Sequence, residues 1–393
     1  MSVRWVLKIL AGVVVAIPLT ACMMLGPLYV EHHRTVDLPH PTGSFAVGRF
    51  TGLLESDHDK QLMSPNPGEA RRAFLWIWYP ADASPSAKRC DYIPANWRAV
   101  LDETRGTINR YFLSVDLTNI KDQSLCGVDI SPRQRTYPLV LLRAGSSALT
   151  AQYTVLAEAL ASHGYIVMGF DAPYRSEVVV FPDGSYVQRL PANDAEALSG
   201  ERQIELGRKL IGAWEADTSW VLDQVTGTAA FARLRDRIDV QKIAMVGHSL
   251  GGATAAQFCR DDARCKAGVD IDGVVFPDVS EKGMNKPFFI LLGGHSLENG
   301  EDVRQALAGL TSLYDHLPPE TRLQMTITGA NHFNFSDIGF LKSRGVQQTF
   351  QFLGLMKMDV TQQAALTSLY VRTFLDVHLM GAPADELQKL PAK

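Results

Sequence analysis

The stretch Lys242-Ile-Ala-Met-Val-Gly-His-Ser-Leu-Gly-Gly-Ala-Thr-Ala-Ala256 decides the fold. It begins with β-prone apolar residues, turns sharply at Gly-His-Ser-Leu-Gly, and ends in small helix formers. A strand, a tight turn and a helix in this order are typical of a nucleophile elbow, with the serine at the apex of the turn. Ser249 occupies that apex, and the flanking glycines remove the Cβ clashes that its strained backbone would cause. In a chain with 31 glycines a bare G-x-S-x-G has little weight, so the flanking strand and helix carry the prediction.

Apolar segments of strand length alternate with longer amphipathic segments along most of the chain. The predicted strands are Phe45–Gly52, Arg72–Tyr79, Pro138–Leu142, Tyr165–Phe170, Lys266–Ile271, Pro287–Leu292 and Arg322–Thr328. The predicted helices are Thr150–His163, Glu201–Val225, Val303–Leu317 and Thr361–Leu379. This alternation predicts an α/β protein with a mainly parallel sheet covered by helices on both faces. Together with the elbow it predicts the α/β-hydrolase fold.

Residues 1–22 have the pattern of a secretory signal. A positively charged start is followed by the apolar run Ile9–Ile17 and then by Leu19-Thr20-Ala21-Cys22. The last four residues also resemble a bacterial lipobox, which would make Cys22 a lipidated residue that tethers a periplasmic or cell-surface protein to a membrane. The alternatives are cleavage elsewhere with plain secretion, and an uncleaved anchor, although prolines and glycines make this segment a poor spanning helix.

The rest of the chain divides into a linker and one domain. Residues 23–44 are rich in proline and are expected to be a linker, with His32 and His33 solvated. Residues 45–393 are expected to form a single α/β-hydrolase domain. An insert at about 81–134 shows no sheet pattern. Its predicted helix at Trp97–Val115 is either part of an insert without a functional role or a cap near the functional site.

Composition and cysteines narrow the function further. The chain is 46% apolar and 20% charged, as in ordinary globular proteins, and its net charge of −4 offers no basic footprint for nucleic acid. An even number of further cysteines in an exported protein permits disulfides, and the spacing favours the pairs Cys259 with Cys265 and Cys90 with Cys126. No Cys or His spacing suggests a metal, and we expect no cofactor. Nothing in the sequence indicates the oligomeric state.

A serine nucleophile needs a base, and the base needs an acid to orient it. Parallel strands end at one sheet edge, so these residues should follow later strands in the order serine, acid, histidine. His332 follows the last predicted strand and is the candidate base; His295 is its rival, while His248 is tied into the elbow and His163 ends a helix at the opposite edge. The spacing leaves four acid candidates, Asp270, Asp272, Glu298 and Asp302.

An oxyanion hole needs two backbone donors near the nucleophile. The N–H of Leu250, directly after the serine, is the first. The second is expected in the loop after the Pro138–Leu142 strand, where Gly145 permits close approach and the N–H of Ser146 is the candidate donor. The alternative for this loop is a plain Gly/Ser turn.

Three runs, Ile243–Thr254, Gly268–Pro277 and Thr326–Asp337, resemble the secreted, calcium-independent platelet-activating-factor acetylhydrolase family. That family has relatives among bacterial esterases and dienelactone-hydrolase-like enzymes. The resemblance covers about residues 72–80 and 137–340.

The resemblance implies a triad of Ser249, Asp272 and His332, because the family takes its acid from the aspartate before a Phe-Pro. It carries over Leu250 and Ser146 as oxyanion donors. One feature departs from the family: Ala144-Gly145 stands where members usually have His-Gly, and Ser146 where they have an apolar residue. The family's substrate therefore need not transfer.

The expected function is a serine carboxylic-ester hydrolase that works through an acyl-enzyme. By resemblance, its substrates would be short-chain or phospholipid-type esters. Two other classes remain open. One is a non-catalytic surface lipoprotein built on a hydrolase fold. The other is an enzyme that uses the same triad for acyl transfer or for cleaving amides or polyesters.

Overall fold

The computed structural model describes residues 25–82, 86–228, 231–294, 301–354 and 356–391. The predicted signal with Cys22 lies outside the described residues, as do His295 and Glu298. Within the described ranges, no helix has the length and apolar character needed to cross a bilayer.

The strands of the described residues are numbered in chain order. They are β1 (Val36–Asp37), β2 (Ala46–Lys60), β3 (Ala70–Ala81), β4 (Lys88–Arg89), β5 (Ile120–Lys121), β6 (Leu125–Cys126), β7 (Tyr137–Arg143), β8 (Ile166–Asp171), β9 (Val178–Val180), β10 (Tyr186–Gln188), β11 (Ile238–His248), β12 (Cys265–Ile271), β13 (Phe288–Leu292) and β14 (Arg322–Thr326).

The α-helices after the amino-terminal segment are numbered in the same way. They are α1 (Ala95–Thr104), α2 (Thr154–Ser162), α3 (Gly200–Gly227), α4 (Ala232–Arg235), α5 (Leu250–Asp261), α6 (Pro277–Ser280), α7 (Glu301–Asp315), α8 (Ile338–Leu341), α9 (Arg344–Phe352) and α10 (Val360–Leu375). Short 3-10 or π-helical turns occur at Asn109–Leu113, Leu117–Asn119, Thr150–Tyr153, Pro191–Asn193, Ala195–Ala197, His332–Phe335, Asp376–Met380 and Ala384–Lys389.

One large sheet organises the domain. Its strand order is β14-β13-β12-β11-β7-β8-β3-β2-β6-β4, and the strands from β14 to β8 run parallel. Strands β3 and β2 continue it in antiparallel pairing. At the end of β11, Gly247 pairs with Arg143 of β7 on one side and with Asp270 of β12 on the other. The loops that follow these three strands therefore meet at one edge of the sheet.

The core lies on both faces of this sheet, as the alternation of side chains along β7 shows. Val140 and Leu142 join a cluster that contains residues of α2 and α10, whereas Leu139 and Leu141 join a second cluster with residues of α3, α5 and α7. Successive side chains of a strand point to opposite faces, so the two clusters lie on opposite sides of the sheet. The predicted mainly parallel sheet covered by helices on both faces is confirmed.

Two regions contain more sheet than we expected. The insert contributes β6 and β4 to the edge of the main sheet beside β2, so the expectation of an insert without sheet was wrong. Residues 178–188, where we predicted no strand, form β9 and β10, a hairpin around Gly184 in a left-handed conformation. These strands are two or three residues long, too short for a periodic pattern to mark them.

The segment 23–44 was expected to be a solvated linker, but much of it packs against the insert. Residues 25–32 are helical, β1 pairs with β5, and Leu38 is buried. His32 is buried rather than solvated, and its Nδ1 lies 2.9 Å from the carbonyl oxygen of Ser114. The insert supplies the partners for this segment, which local composition does not reveal.

Within the described ranges, two disulfides join cysteines at separate places along the sheet. Cys90 is bonded to Cys126, beside the β4–β6 edge of the sheet. Cys259 is bonded to Cys265 and joins the end of α5 to the start of β12. The second bond ties the elbow helix to the neighbouring strand.

Candidate active site

The turn between β11 and α5 holds Ser249 in an unusual backbone conformation. Its φ is 56° and its ψ −125°, a region that residues with a side chain rarely adopt. The Ser249 N–H donates to the Ile271 carbonyl at 2.9 Å, and the Ser249 carbonyl accepts from the N–H of Gly252 at 2.8 Å. A Cβ on Gly247 would lie 1.9 Å from the Gly251 oxygen, so only glycine permits this close approach. The predicted elbow geometry is present.

The loop after β14 brings His332 to the same sheet edge. The His332 Nδ1 lies 2.8 Å from Oδ2 of Asp272, which directly follows β12. The other carboxyl oxygen of Asp272 accepts from the Gly293 N–H at 2.6 Å. The buried Gln363 of α10 holds the backbone of Asn331, accepting from its N–H at 3.0 Å and donating to its carbonyl at 2.8 Å. The ring and the carboxylate are therefore both held in place.

Asp270, the neighbouring acid candidate, has a different environment. Its side chain is fully buried against α5, where a Cβ on Gly252 would lie 1.8 Å from its Oδ1. Burial, and then the nearby Asp272 charge, raise the pKa of Asp270 well above its usual range. Asp270 is therefore buried behind the elbow, whereas Asp272 contacts the imidazole. Glu298 and the side chain of Asp302 lie outside the described part of the structure.

The loop after β7 lies directly against the elbow. A Cβ on Gly145 would be 3.2 Å from the Ser249 Cβ. The Gly145 N–H donates to the Tyr153 hydroxyl at 3.0 Å, and that hydroxyl lies 2.8 Å from Nδ1 of His248. Among the hydrogen bonds of the described residues, neither the Ser146 N–H nor the Leu250 N–H is a donor. The Leu250 N–H is also the first amide of α5, where the positive end of the helix dipole lies.

A cavity of about 270 Å³ opens over these groups. Ser249, His332 and Ser146 all line it, so the structure brings the predicted nucleophile, base and loop donor to one space. The ring of His248 also lines the cavity and lies 4.5 Å from the ring of His332 between centroids.

Several residues of this site were missed in the sequence. The Tyr153 hydroxyl holds the loop after β7, and Arg143 anchors the end of β7, donating to the Phe170 carbonyl at 2.8 Å and lying 4.2 Å over the Trp214 ring. Burial, and then Arg175, lower the pKa of Arg143 to about 10. The only sequence signal near these groups was the departure of the oxyanion loop from the family pattern.

One group of described side chains has ligand atoms close enough to hold a metal ion. The atoms of His32, His33 and Asp116 lie within 4.8 Å of one another. The group was not found in the sequence because Asp116 is far from the two histidines along the chain. None of its members lines the cavity over Ser249.

Comparisons with known proteins show which family and which fold the chain resembles. The family profile described as platelet-activating factor acetylhydrolase, isoform II, matches residues 30–182 and 194–382. Platelet-activating factor acetylhydrolase of Cavia porcellus is 26% identical over 267 residues, which cover 61% of this chain and 58% of that protein. The enzyme of the same name from Bos taurus is 27% identical over 266 residues, covering 62% and 57%. A probable 1-alkyl-2-acetylglycerophosphocholine esterase of Arthroderma benhamiae is 24% identical over 262 residues, covering 62% and 61%.

These matches span less than two thirds of each relative's length. A solved ferulic acid esterase from Streptomyces cinnamoneus superimposes with a TM-score of 0.72 at 24% identity, covering 89% of this chain and 95% of that one. This likeness shows that the fold is that of an α/β-hydrolase.

The tight contact between α5 and Asp270 makes a testable prediction about stability. Gly252→Ala should lower the free energy of unfolding by about 1–3 kcal/mol, because the new methyl group overlaps a buried carboxyl. Gly212→Ala on α3 is the matched control: nothing lies within 4 Å of its added Cβ, so it should raise stability by about 0.5–1 kcal/mol. Urea denaturation measures both, and a Gly252→Ala protein as stable as wild type would contradict the packing described.

Proposed function

Because the chain belongs to the platelet-activating factor acetylhydrolase, isoform II, family, we propose that it is a serine ester hydrolase that works through an acyl-enzyme. One observation carries the proposal. The imidazole of His332 is held 2.8 Å from the Asp272 carboxylate on a cavity that Ser249 also lines. The three residue types of a catalytic triad thus lie at one sheet edge, in the chain order serine, acid, histidine.

In the proposed reaction, the Ser249 hydroxyl attacks the ester carbonyl while Nε2 of His332 takes its proton. With Nδ1–H donated to Asp272, the imidazole has the tautomer whose Nε2 can accept a proton. The negative Asp272 then stabilises the imidazolium that forms. His332 returns the proton to the leaving alcohol, and a water molecule activated by the same ring hydrolyses the acyl-enzyme.

The oxygen of the tetrahedral intermediate would be bound by the backbone N–H groups of Leu250 and Ser146. Both amides are free of other acceptors among the described residues, and Leu250 also begins α5. Fixed donors of this kind stabilise charge that develops only in the transition state, which lowers the barrier rather than merely binding the substrate.

We propose short-chain or phospholipid-type esters as substrates. The cavity of about 270 Å³ is at the small end of the range for ligand pockets, which favours a short group beside the scissile bond. The relatives' names refer to acetylhydrolases and an esterase of acetylated glycerophosphocholine, which supports the same choice.

Ser249→Ala should lower kcat by on the order of 10⁴- to 10⁶-fold on nitrophenyl and acetylated glycerophospholipid esters, because the nucleophile is lost. A fluorophosphonate probe should label the wild type but not this variant. Equal unfolding curves serve as the control for folding. A wild-type protein that the probe does not label would indicate the non-catalytic alternative, and full activity of Ser249→Ala would overturn the proposed nucleophile.

The two aspartates beside the elbow should respond differently to the same substitution. Asp272→Asn removes the charge that faces His332 and should lower kcat by on the order of 10³- to 10⁴-fold. Asp270→Asn changes a buried carboxyl that lies against α5 and not against the imidazole, so it should stay within about tenfold of the wild-type rate. Steady-state kinetics at one pH compares them, and the opposite ranking would move the acid to Asp270.

We also propose that the protein is exported and tethered to a membrane surface through a lipidated Cys22. The support is the charged start, the apolar run and the Leu19-Thr20-Ala21-Cys22 sequence, together with two disulfides, which are typical of oxidising compartments. Labelling of cells with a radioactive fatty acid should mark the wild type and not Cys22→Ser. Equal labelling, or none in the wild type, would reject lipidation at this residue.

A further inference from the structure

One wall of the cavity is built by the insert and by a loop that the insert holds. Arg105 and Asn109 come from the insert, and Lys342 from the segment after α8. A backbone bridge joins Ser114 to Lys342, and the flanking Val115 N–H donates to the Leu341 carbonyl at 2.8 Å. Lys342 is therefore fixed to the insert by backbone contacts rather than by its side chain.

The charges on this wall do not cancel. Arg105 is neutralised by Glu177, since two hydrogen bonds of 2.6 Å join its guanidinium to the two carboxylate oxygens. Lys342 is half-buried and, within the described part of the chain, its ammonium has no ion-pair partner. Burial, and then the positive Arg105, lower the pKa of Lys342. Of the charged side chains described along this wall, Arg105 and Lys342 are positive and Glu177, which also attracts the Lys342 ammonium, is negative, so one positive charge is in excess.

A neutral polar group adds to this wall. The Ser114 hydroxyl donates to Oδ1 of Asn109 at 2.8 Å, which leaves the Asn109 amide NH₂ as a donor. Both residues line the cavity together with Lys342. An ammonium and an amide NH₂ facing the same space are suited to the oxygens of a carboxylate or a phosphate.

We propose that this wall binds an anionic group of the ester substrate, a carboxylate or a phosphate, and that Lys342 is the residue that pairs with it. The inference rests on the proposed function, because it defines which esters Ser249 receives. Ion pairing offsets the cost of holding an ammonium partly out of water, so an anionic ester gains binding free energy that a neutral one lacks. Because the cavity is small, the anion lies a short chain away from the scissile carbonyl.

Two matched pairs of esters test the idea and separate the two sources of negative charge. On the acyl side, 4-nitrophenyl hydrogen glutarate is compared with 4-nitrophenyl pentanoate. On the alcohol side, acetylglycerol phosphate is compared with monoacetylglycerol. In at least one pair the wild type should have a kcat/KM about 10-fold or more higher for the anionic ester. If the wild type hydrolyses these esters without such a preference in either pair, the proposal is overturned, whatever the variants do.

Lys342→Met should lower kcat/KM for the preferred anionic ester by about 10- to 100-fold more than for its neutral partner. Lys342→Arg, which keeps the charge, should retain most of the preference. Lys282→Met is the matched control, because Lys282 is exposed and does not line the cavity. This variant should leave kcat/KM unchanged for both esters. Equal losses for both esters in Lys342→Met would mean that the residue is only structural and would overturn the proposal.

Binding measurements on Ser249→Ala distinguish failure of the proposed anion site from failure of the proposed esterase function. Calorimetry with glutarate and with glycerol 3-phosphate should detect binding that Lys342→Met weakens by about 10-fold or more. If no ester is hydrolysed but this binding is present, the proposed function fails and the anion site stands. If esters are hydrolysed and neither anion binds, the anion site fails and the proposed function stands.

Discussion

The strained backbone of Ser249 is the constraint on which the rest of the site depends. A residue with φ of 56° directly after a buried strand is stable only if the surrounding chain leaves room for it and satisfies its hydrogen bonds. Both conditions are met here by glycines that contact backbone and carboxyl atoms, and by bonds from the turn to β12 and α5. The same geometry points the serine out of the sheet edge and places the start of α5 beneath it.

The parallel sheet places the strained turn beside the other residues of the site. Because β7, β11 and β12 end side by side, the loop after β7, the elbow and Asp272 meet without long loops. The hairpin of β9 and β10 then connects two distant parts of the site. Glu177, directly before β9, pairs with Arg105 of the insert. Arg189, directly after β10, donates to the Ser147 hydroxyl in the loop after β7. The Arg189 N–H also donates to the Glu177 carbonyl at 3.2 Å, so the two contacts are coupled through the backbone.

Much of this architecture was predictable from local patterns. Long apolar strands, the elbow around Ser249 and the position of His332 after the last strand each have a signature within about a dozen residues. No such signature distinguishes Asp270 from Asp272, because one lies at the end of a strand and the other directly follows it. Only the fold shows that the Asp270 carboxyl faces α5 and the Asp272 carboxyl faces the imidazole. Lys342 and Arg105 were also not predictable as neighbours. They are brought together by a backbone bridge between the insert and the carboxyl-terminal part of the chain, and long-range pairing of short segments leaves no periodic pattern.

A crystal structure of the protein after reaction with a small fluorophosphonate tests most directly whether Ser249 is the nucleophile and whether the Leu250 and Ser146 amides bind the oxyanion. We expect a phosphonyl group on Oγ of Ser249, with one phosphonyl oxygen about 2.7–3.1 Å from the backbone nitrogens of Leu250 and Ser146. We also expect that the His332 ring stays bonded to Asp272. A modified residue other than Ser249, or a phosphonyl oxygen turned away from both amides, would contradict the account.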